Sequence, residues 1–129
     1  MKIIKQTYII KAPPEEVWKA LVEVSYINGW GGGPAKMSDK AGIKFSLWGG
    51  EIFGENKEVV PNKKLVQDWW DSGSKWDKPS KVTFTLRAEN GVTRLELLHT
   101  DVPDENAKAI DDGWKQFYLG PLKDYLESR

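Results

Sequence analysis

The feature that most constrains this chain is a long amphipathic segment near its C-terminal end. Apolar side chains recur there at three- and four-residue steps, the spacing of one helix face: Ile110, Trp114, Phe117, Tyr118, Leu122, Tyr125 and Leu126. A stripe this wide has to be buried against another apolar surface. Because Pro121 lies inside the segment and cannot donate a helical hydrogen bond, we predict a kink over residues 117–120.

The rest of the chain supplies that surface. Apolar and polar residues alternate along most of it with a period of two, which predicts strands with one apolar face. A β-rich opening over residues 2–11 is followed by one or two short helices, over residues 14–23 and near residues 25–28. Alternating strands are then predicted at residues 43–47, 52–60, 65–70, 82–86 and 93–99. This order predicts an α+β fold, in which a curved antiparallel sheet of about six strands wraps around the long C-terminal helix. The length, 129 residues, suits a single domain.

Two glycine-containing turns set the expected register of the sheet. The pair Asn90-Gly91 predicts a hairpin with a type I′ turn. The pair Gly49-Gly50 predicts a two-residue hairpin, whose register joins Leu47 to Ile52, Phe45 to Gly54 and Lys44 to Glu55.

The composition argues against several classes of function. The chain has no cysteine, which removes disulfides, thiolate nucleophiles and thiolate metal sites. Basic and acidic residues number 19 each, and this zero net charge disfavours nucleic acid as a partner. With one histidine, and no calcium-loop spacing around Asp111 and Asp112, we expect no metal and no cofactor. No apolar run approaches the roughly 20 residues of a membrane helix, so we expect a cytoplasmic protein without a membrane span.

Six segments spread over nearly the whole chain form a recognisable series. They are residues 12–18 (APPEEVW), 42–45 (GIKF), 50–55 (GEIFGE), 60–65 (VPNKKL, with Trp69 beyond), 91–99 and 113–123. In this order they resemble the family of the activator of the heat-shock-ninety ATPase, in particular that activator's C-terminal domain, within the SRPBCC (START-like) superfamily. The resemblance implies a helix-grip fold with a cavity between the sheet and the C-terminal helix. The eukaryotic activator has an additional N-terminal domain to which nothing here corresponds, so the fold transfers better than the co-chaperone role.

Side chains on the inward faces are the candidate ligand-binding residues. Strand alternation and helical spacing place four aromatic residues there, either as plain core or as the lining of a cavity. Two polar residues fall on inward faces as well, where an unpaired polar group costs about 1–3 kcal/mol. A few polar groups in an apolar pocket also orient small ligands. The predicted ligand-binding set is therefore Phe45, Gln67, Trp69, His99, Trp114 and Phe117.

The remaining tryptophans are predicted in loops or on the open face of the sheet: Trp30, Trp48, Trp70 and Trp76. Exposed aromatic side chains at such positions either contact a protein partner or cover the entrance of the cavity. The predicted partner-binding set is Trp48, Phe53 and Trp70.

Three hypotheses of function follow, in this order. The first is a binding module for a small hydrophobic molecule in the cavity. The second, which the resemblance implies, is a co-chaperone that binds and stimulates the heat-shock-ninety ATPase. The third is a cyclase- or hydrolase-type enzyme with His99 as acid or base, since histidine titrates near neutral pH. A hydrogen-bonded histidine at the edge of the core is the simpler interpretation of His99.

Overall fold

The computed structural model describes residues 1–129, and its elements follow the predicted order. The strands are β1 (Lys2–Ile10), β2 (Lys44–Leu47), β3 (Ile52–Val60), β4 (Lys64–Asp71), β5 (Ser80–Glu89) and β6 (Val92–Val102). The two short helices are α1 (Pro14–Val22) and α2 (Val24–Trp30). The C-terminal helix consists of α3 (Asp104–Gly113), a π-helical turn (Trp114–Tyr118) and α4 (Leu119–Glu127).

The six strands form one antiparallel sheet in the order β1-β6-β5-β4-β3-β2. The register shifts between Lys2 and Ile4 in β1, and between Asn56 and Glu58 in β3. Such bulges bend a strand and increase its twist, which suits a sheet that curves around a helix. The predicted α+β helix-grip architecture is confirmed.

Both predicted hairpin registers are confirmed. Asn90 and Gly91 have φ angles of 51° and 84°, as a type I′ turn requires. At the other hairpin, Leu47 pairs with Ile52 and the ladder continues as expected. The connection there is longer than the two residues predicted, because Trp48 leaves the strand and begins a 3₁₀ turn (Trp48–Gly50).

One continuous core joins the sheet to the helices. It consists of 26 buried hydrophobic residues from every strand, from α1 and α2, and from the π-helical turn and α4. Trp30, expected in a loop, ends α2 and is part of this core, where its Nε1–H donates to the carbonyl of Ala20 at 2.8 Å. No helix combines the length and apolar character needed to cross a membrane.

The predicted kink in the C-terminal helix takes the form of the π-helical turn. Pro121 has no N–H, and its ring displaces the carbonyl one turn earlier, so an ordinary α-helical turn is disfavoured at this point. The Leu119 N–H instead donates to the carbonyl of Trp114, five residues back. Gly120 permits the close approach, since a Cβ there would lie 2.1 Å from the Lys115 carbonyl oxygen.

The π-helical turn also makes one prediction wrong, namely which side chains of this helix point toward the core. Phe117 was expected to face inward, yet its side chain is 63% exposed, whereas Tyr118 and Leu119 are buried. A π turn holds one residue more than an α turn, so the apolar face shifts by one position beyond it. A prediction from ordinary helical periodicity does not include this shift, and it therefore places Phe117 inside.

Two glycine substitutions in this helix should have opposite effects on stability. Gly120→Ala forces a Cβ against backbone and should lower the free energy of unfolding by about 1–3 kcal/mol. Gly113→Ala meets only the Phe117 ring, at 4.0 Å, and should raise it by about 0.5–1 kcal/mol through helix propensity. Urea unfolding of both variants checks this, and equal effects of the same sign would contradict the π-turn geometry.

Candidate functional site

A pocket of about 550 Å³ lies between the C-terminal helix and the end of the sheet where β3 begins and β4 ends. Its walls come from the 3₁₀ turn, from β3 and β4, and from α3 with the π-helical turn. Small-molecule sites commonly have volumes of roughly 300–1,000 Å³. The pocket is therefore large enough for a compact organic ligand.

The pocket is walled mainly by aromatic side chains: Trp48, Trp69, Trp114, Phe117 and Tyr118. Trp69, Trp114 and Tyr118 are buried, while Phe117 is exposed. The rings of Trp69 and Trp114 stack with centroids 5.4 Å apart, and those of Trp114 and Tyr118 lie 4.7 Å apart. These rings form a pre-built apolar surface.

The polar part of the lining is acidic. Glu51 and Asp71 are the charged residues of the lining, next to Ser72 and Gly73. The register brings them together, since Ile52 pairs with Asp71 and the Ser72 N–H donates to the Glu51 carbonyl at 2.8 Å. Asp71 also accepts bonds from the Gly73 N–H and the Ser74 hydroxyl, which fixes its carboxylate. No group of three or more His, Asp and Glu side chains is placed to hold a metal ion.

The glycine-rich segment before β2 holds Trp48 in the wall. Trp48 has a φ of 49°, an uncommon conformation for a bulky residue. Its backbone N–H donates to the Gly32 carbonyl at 2.8 Å and its Nε1–H to the Gly31 carbonyl at 2.7 Å. The Gly49 N–H donates to the Pro34 carbonyl at 2.9 Å. Trp48 thus belongs to the pocket, not to the open face where it was predicted with Phe53 and Trp70.

The single histidine, His99, belongs to a continuous chain of hydrogen bonds that joins two of the pocket residues, Trp114 and Trp69. The Trp114 Nε1–H, which can only donate, points to His99 Nδ1 at 3.0 Å. The proton of the neutral ring therefore sits on Nε2, which donates to the Ser80 hydroxyl at 2.7 Å. Ser80 donates in turn to the Trp69 carbonyl at 3.1 Å. The chain fixes the imidazole between Trp69 and Trp114.

Burial makes this histidine a poor base. His99 is fully buried, and desolvation lowers its pKa from 6.5 to about 3. Both ring nitrogens are engaged in hydrogen bonds, so neither is free to exchange a proton with a substrate. The structure agrees with the hydrogen-bonded core histidine and gives no support to His99 as a catalytic group.

Two buried polar atoms of pocket-lining residues have no hydrogen-bond partner. They are Trp69 Nε1 and the Tyr118 hydroxyl, both shielded from solvent and therefore below the surface that the pocket presents. Burial raises the pKa of Tyr118, so the hydroxyl stays protonated. An unpaired buried polar group costs about 1–3 kcal/mol.

Three of the six predicted ligand-binding residues line the pocket, and three do not. Trp69, Trp114 and Phe117 lie in its wall, while Phe45, Gln67 and His99 lie outside the lining. The expected buried amide of Gln67 is satisfied inside the protein, since its Nε2 donates to Asn56 Oδ1 at 2.9 Å. Alternation along β3 puts Asn56 on the same inward face as Ile52, and this partner was therefore open to prediction.

The pocket also uses residues that were not predicted: Glu51, Ile52, Asp71, Ser72, Gly73, Ala109, Ile110, Gly113 and Tyr118. Tyr118 is part of the predicted helical stripe, and the π turn buries it against the sheet while Phe117, also in the wall, stays exposed. Glu51 and Asp71 become neighbours through the β3–β4 register, which no turn motif fixes.

The opposite face of the sheet carries a separate aromatic pair. Phe53 and Trp70 are paired across β3 and β4, and their rings are nearly parallel with centroids 6.2 Å apart. Phe53 is 39% exposed. The predicted position of both on the open face is confirmed. Trp76 lies in the β4–β5 loop, as predicted, where it packs against the core and its Nε1–H donates to Asn106 Oδ1 at 2.9 Å.

Comparisons with known proteins agree with one another. A family model described as "Activator of Hsp90 ATPase homolog 1-like protein" matches residues 11–127. The "Activator of 90 kDa heat shock protein ATPase homolog" of Dictyostelium discoideum is 28% identical, covering 95% of this chain and 32% of that protein. The human "Activator of 90 kDa heat shock protein ATPase homolog 1" is 25% identical, covering 93% and 35%. The chain spans about a third of the length of these curated relatives.

The solved structures include a chain of nearly the same extent. The crystal structure of an HSP90 activator from Plasmodium falciparum matches with a TM-score of 0.88 and 26% identity. The match covers 98% of this chain and 97% of that one.

The buried histidine should make stability depend on pH in a defined window. The unfolded chain binds a proton on His99 near pH 6.5, the folded protein only near pH 3, so stability falls as pH drops between these values. From pH 7 to pH 5 this contribution amounts to a loss of about 2 kcal/mol. Urea unfolding should show that loss in the wild type and not in His99→Gln.

A spectroscopic measurement tests the same point without a variant. Because His99 is the only histidine, its imidazole NMR signals need no assignment by mutation. They should stay in the neutral form down to pH 5 in the folded protein. A titration midpoint near pH 6.5 would contradict the buried, doubly bonded ring.

Proposed function

The chain belongs to the family of Activator of Hsp90 ATPase homolog 1-like proteins, and on that premise we propose that it binds a small, largely apolar molecule in the aromatic pocket. The proposal concerns binding, with no chemical step. We expect binding to take place in the cytoplasm.

The observation that carries the proposal is a pocket of about 550 Å³ with five aromatic residues in its wall. A planar apolar molecule would contact the half-buried ring of Trp48 and the exposed ring of Phe117, next to the buried stack of Trp69 and Trp114. Burial of apolar surface would supply the driving force, at roughly 25 cal/mol per Å².

An exposed phenylalanine at the pocket allows a test that hardly disturbs the fold. The neutral naphthalene probe prodan should bind the wild type with a rise in fluorescence. Phe117→Ala should weaken that binding about tenfold, or about 1.4 kcal/mol, the order expected for losing part of a buried aromatic contact. Fluorescence titration measures both affinities.

The matched control is Phe53→Ala, which removes an exposed phenylalanine from the opposite face of the sheet. It should leave prodan binding unchanged. Equal affinities of the wild type and Phe117→Ala, with both folded by circular dichroism, would count against this pocket as the binding site.

A second candidate function is stimulation of the Hsp90 ATPase. It is favoured by the match to the Plasmodium falciparum HSP90 activator, a chain that this one covers almost completely. The exposed Phe53 and the half-buried Trp70 stack on each other and supply an aromatic pair of the kind that is enriched in protein interfaces. This surface and the pocket lie on opposite faces of β3 and β4, so substitutions separate the two candidates.

For the second candidate, the wild type at several-fold excess should raise the ATPase rate of the Hsp90 chaperone from the same organism. Trp70→Ala should reduce the stimulation severalfold, because it removes half of the stacked pair. Phe117→Ala should keep it. A coupled ATPase assay measures all three, and no stimulation by the wild type would count against this function.

A further inference from the structure

We propose that the pocket selects cationic ligands: molecules with an apolar, preferably aromatic, body and a protonated amine or quaternary ammonium group. The inference rests on the proposed binding function and adds the charge of the ligand. It follows from the sign of every charged group in the lining and from the aromatic walls.

All formal charge in the pocket lining is negative. Glu51 and Asp71 are its only charged side chains, and no lysine, arginine or histidine lines it. Glu51 is exposed and forms no ion pair with any basic side chain, so its carboxylate is free to meet a ligand. A ligand carboxylate or phosphate would meet these groups without a compensating base.

The basic residues on the surrounding elements are engaged or lie elsewhere. On the C-terminal helix, Lys108 pairs with Asp112 at 3.1 Å and Lys115 with Asp111 at 3.9 Å. Lys75, in the β4–β5 loop, lines a different groove. The negative sign of the pocket is therefore not offset by a cation in its wall.

The aromatic walls favour the same ligand charge for an independent reason. The faces of tryptophan, tyrosine and phenylalanine rings carry negative partial charge and attract cations within about 6 Å of the centroid. Five such residues line the pocket, and of these the Phe117 ring is exposed and the Trp48 ring half-buried, so these two are the rings that a cation would meet. Aromatic enclosure combined with carboxylates is a recognised way to bind alkylammonium groups.

A matched set of three probes tests the proposal. They share a naphthalene ring and differ in head group: 2-(1-naphthyl)ethylamine, 2-(1-naphthyl)ethanol and 3-(1-naphthyl)propanoate. Isothermal titration calorimetry at pH 7 and low salt should give the order amine, alcohol, acid, with the amine at least tenfold tighter than the acid. Added salt should narrow this difference, because screening weakens exposed charge pairs.

A single isosteric substitution tests the assignment to Glu51. Glu51→Gln should reduce the preference for amine over alcohol at least threefold and leave the affinity for the alcohol unchanged. Glu15→Gln is the matched control, since it makes the same chemical change at an exposed position in the first turn of α1, outside the pocket lining. It should leave the preference as in the wild type.

The outcomes separate this inference from the function on which it rests. Charge selection is contradicted if the amine binds no tighter than the alcohol, or if the acid binds best. In either case the proposed binding of a small ligand is still supported. If Glu51→Gln keeps the full preference for the amine, the proposed role of Glu51 is wrong. If none of the three probes binds, both the inference and the proposed binding function are overturned.

Discussion

The π-helical turn at Trp114–Tyr118 is the constraint on which the pocket depends. Pro121 has no N–H to donate, and its ring needs room one turn earlier, so the helix accommodates it by widening. The widened turn directs Trp114 and Tyr118 to the sheet and leaves Phe117 outside. Without the extra residue, a regular stripe would direct Phe117 toward the sheet. The same local distortion therefore shapes the wall and leaves one aromatic ring free at the surface.

Polar chemistry inside the core is divided between a closed part and an open part. The closed part runs from the Trp114 indole through His99 and Ser80 to the Trp69 carbonyl, and every member is paired. It holds two of the pocket tryptophans in fixed relation and explains why a histidine is tolerated at full burial. The open part is Trp69 Nε1 and the Tyr118 hydroxyl. Trp69 belongs to both, through its carbonyl and its indole.

The sequence permits prediction of the scaffold and of part of the site. Short-range signals, namely alternation in the strands and the Asn90-Gly91 turn, lead to the correct fold, the correct hairpin registers and the open-face position of Phe53 and Trp70. The errors arise where contacts with segments distant in the sequence, or a change of helix type, determine the position of a side chain. Trp48 joins the wall because Gly31 and Gly32, 17 and 16 residues earlier, accept its hydrogen bonds, and no periodicity encodes that contact. Phe117 was misplaced because a proline-induced change of helix type shifts the apolar face.

The net charge of the chain does not predict the charge of the pocket. The charges of nineteen basic and nineteen acidic residues cancel. This excludes a strong electrostatic potential over the whole protein, but it does not determine the charge of a single pocket. The lysines of the C-terminal helix that lie near the pocket are paired with acids on that helix. Two carboxylates remain at the end of the sheet, brought together by the pairing of Ile52 with Asp71. In the proposed binding function, such a small local excess of negative charge would favour a cationic ligand, even in a protein that is neutral as a whole.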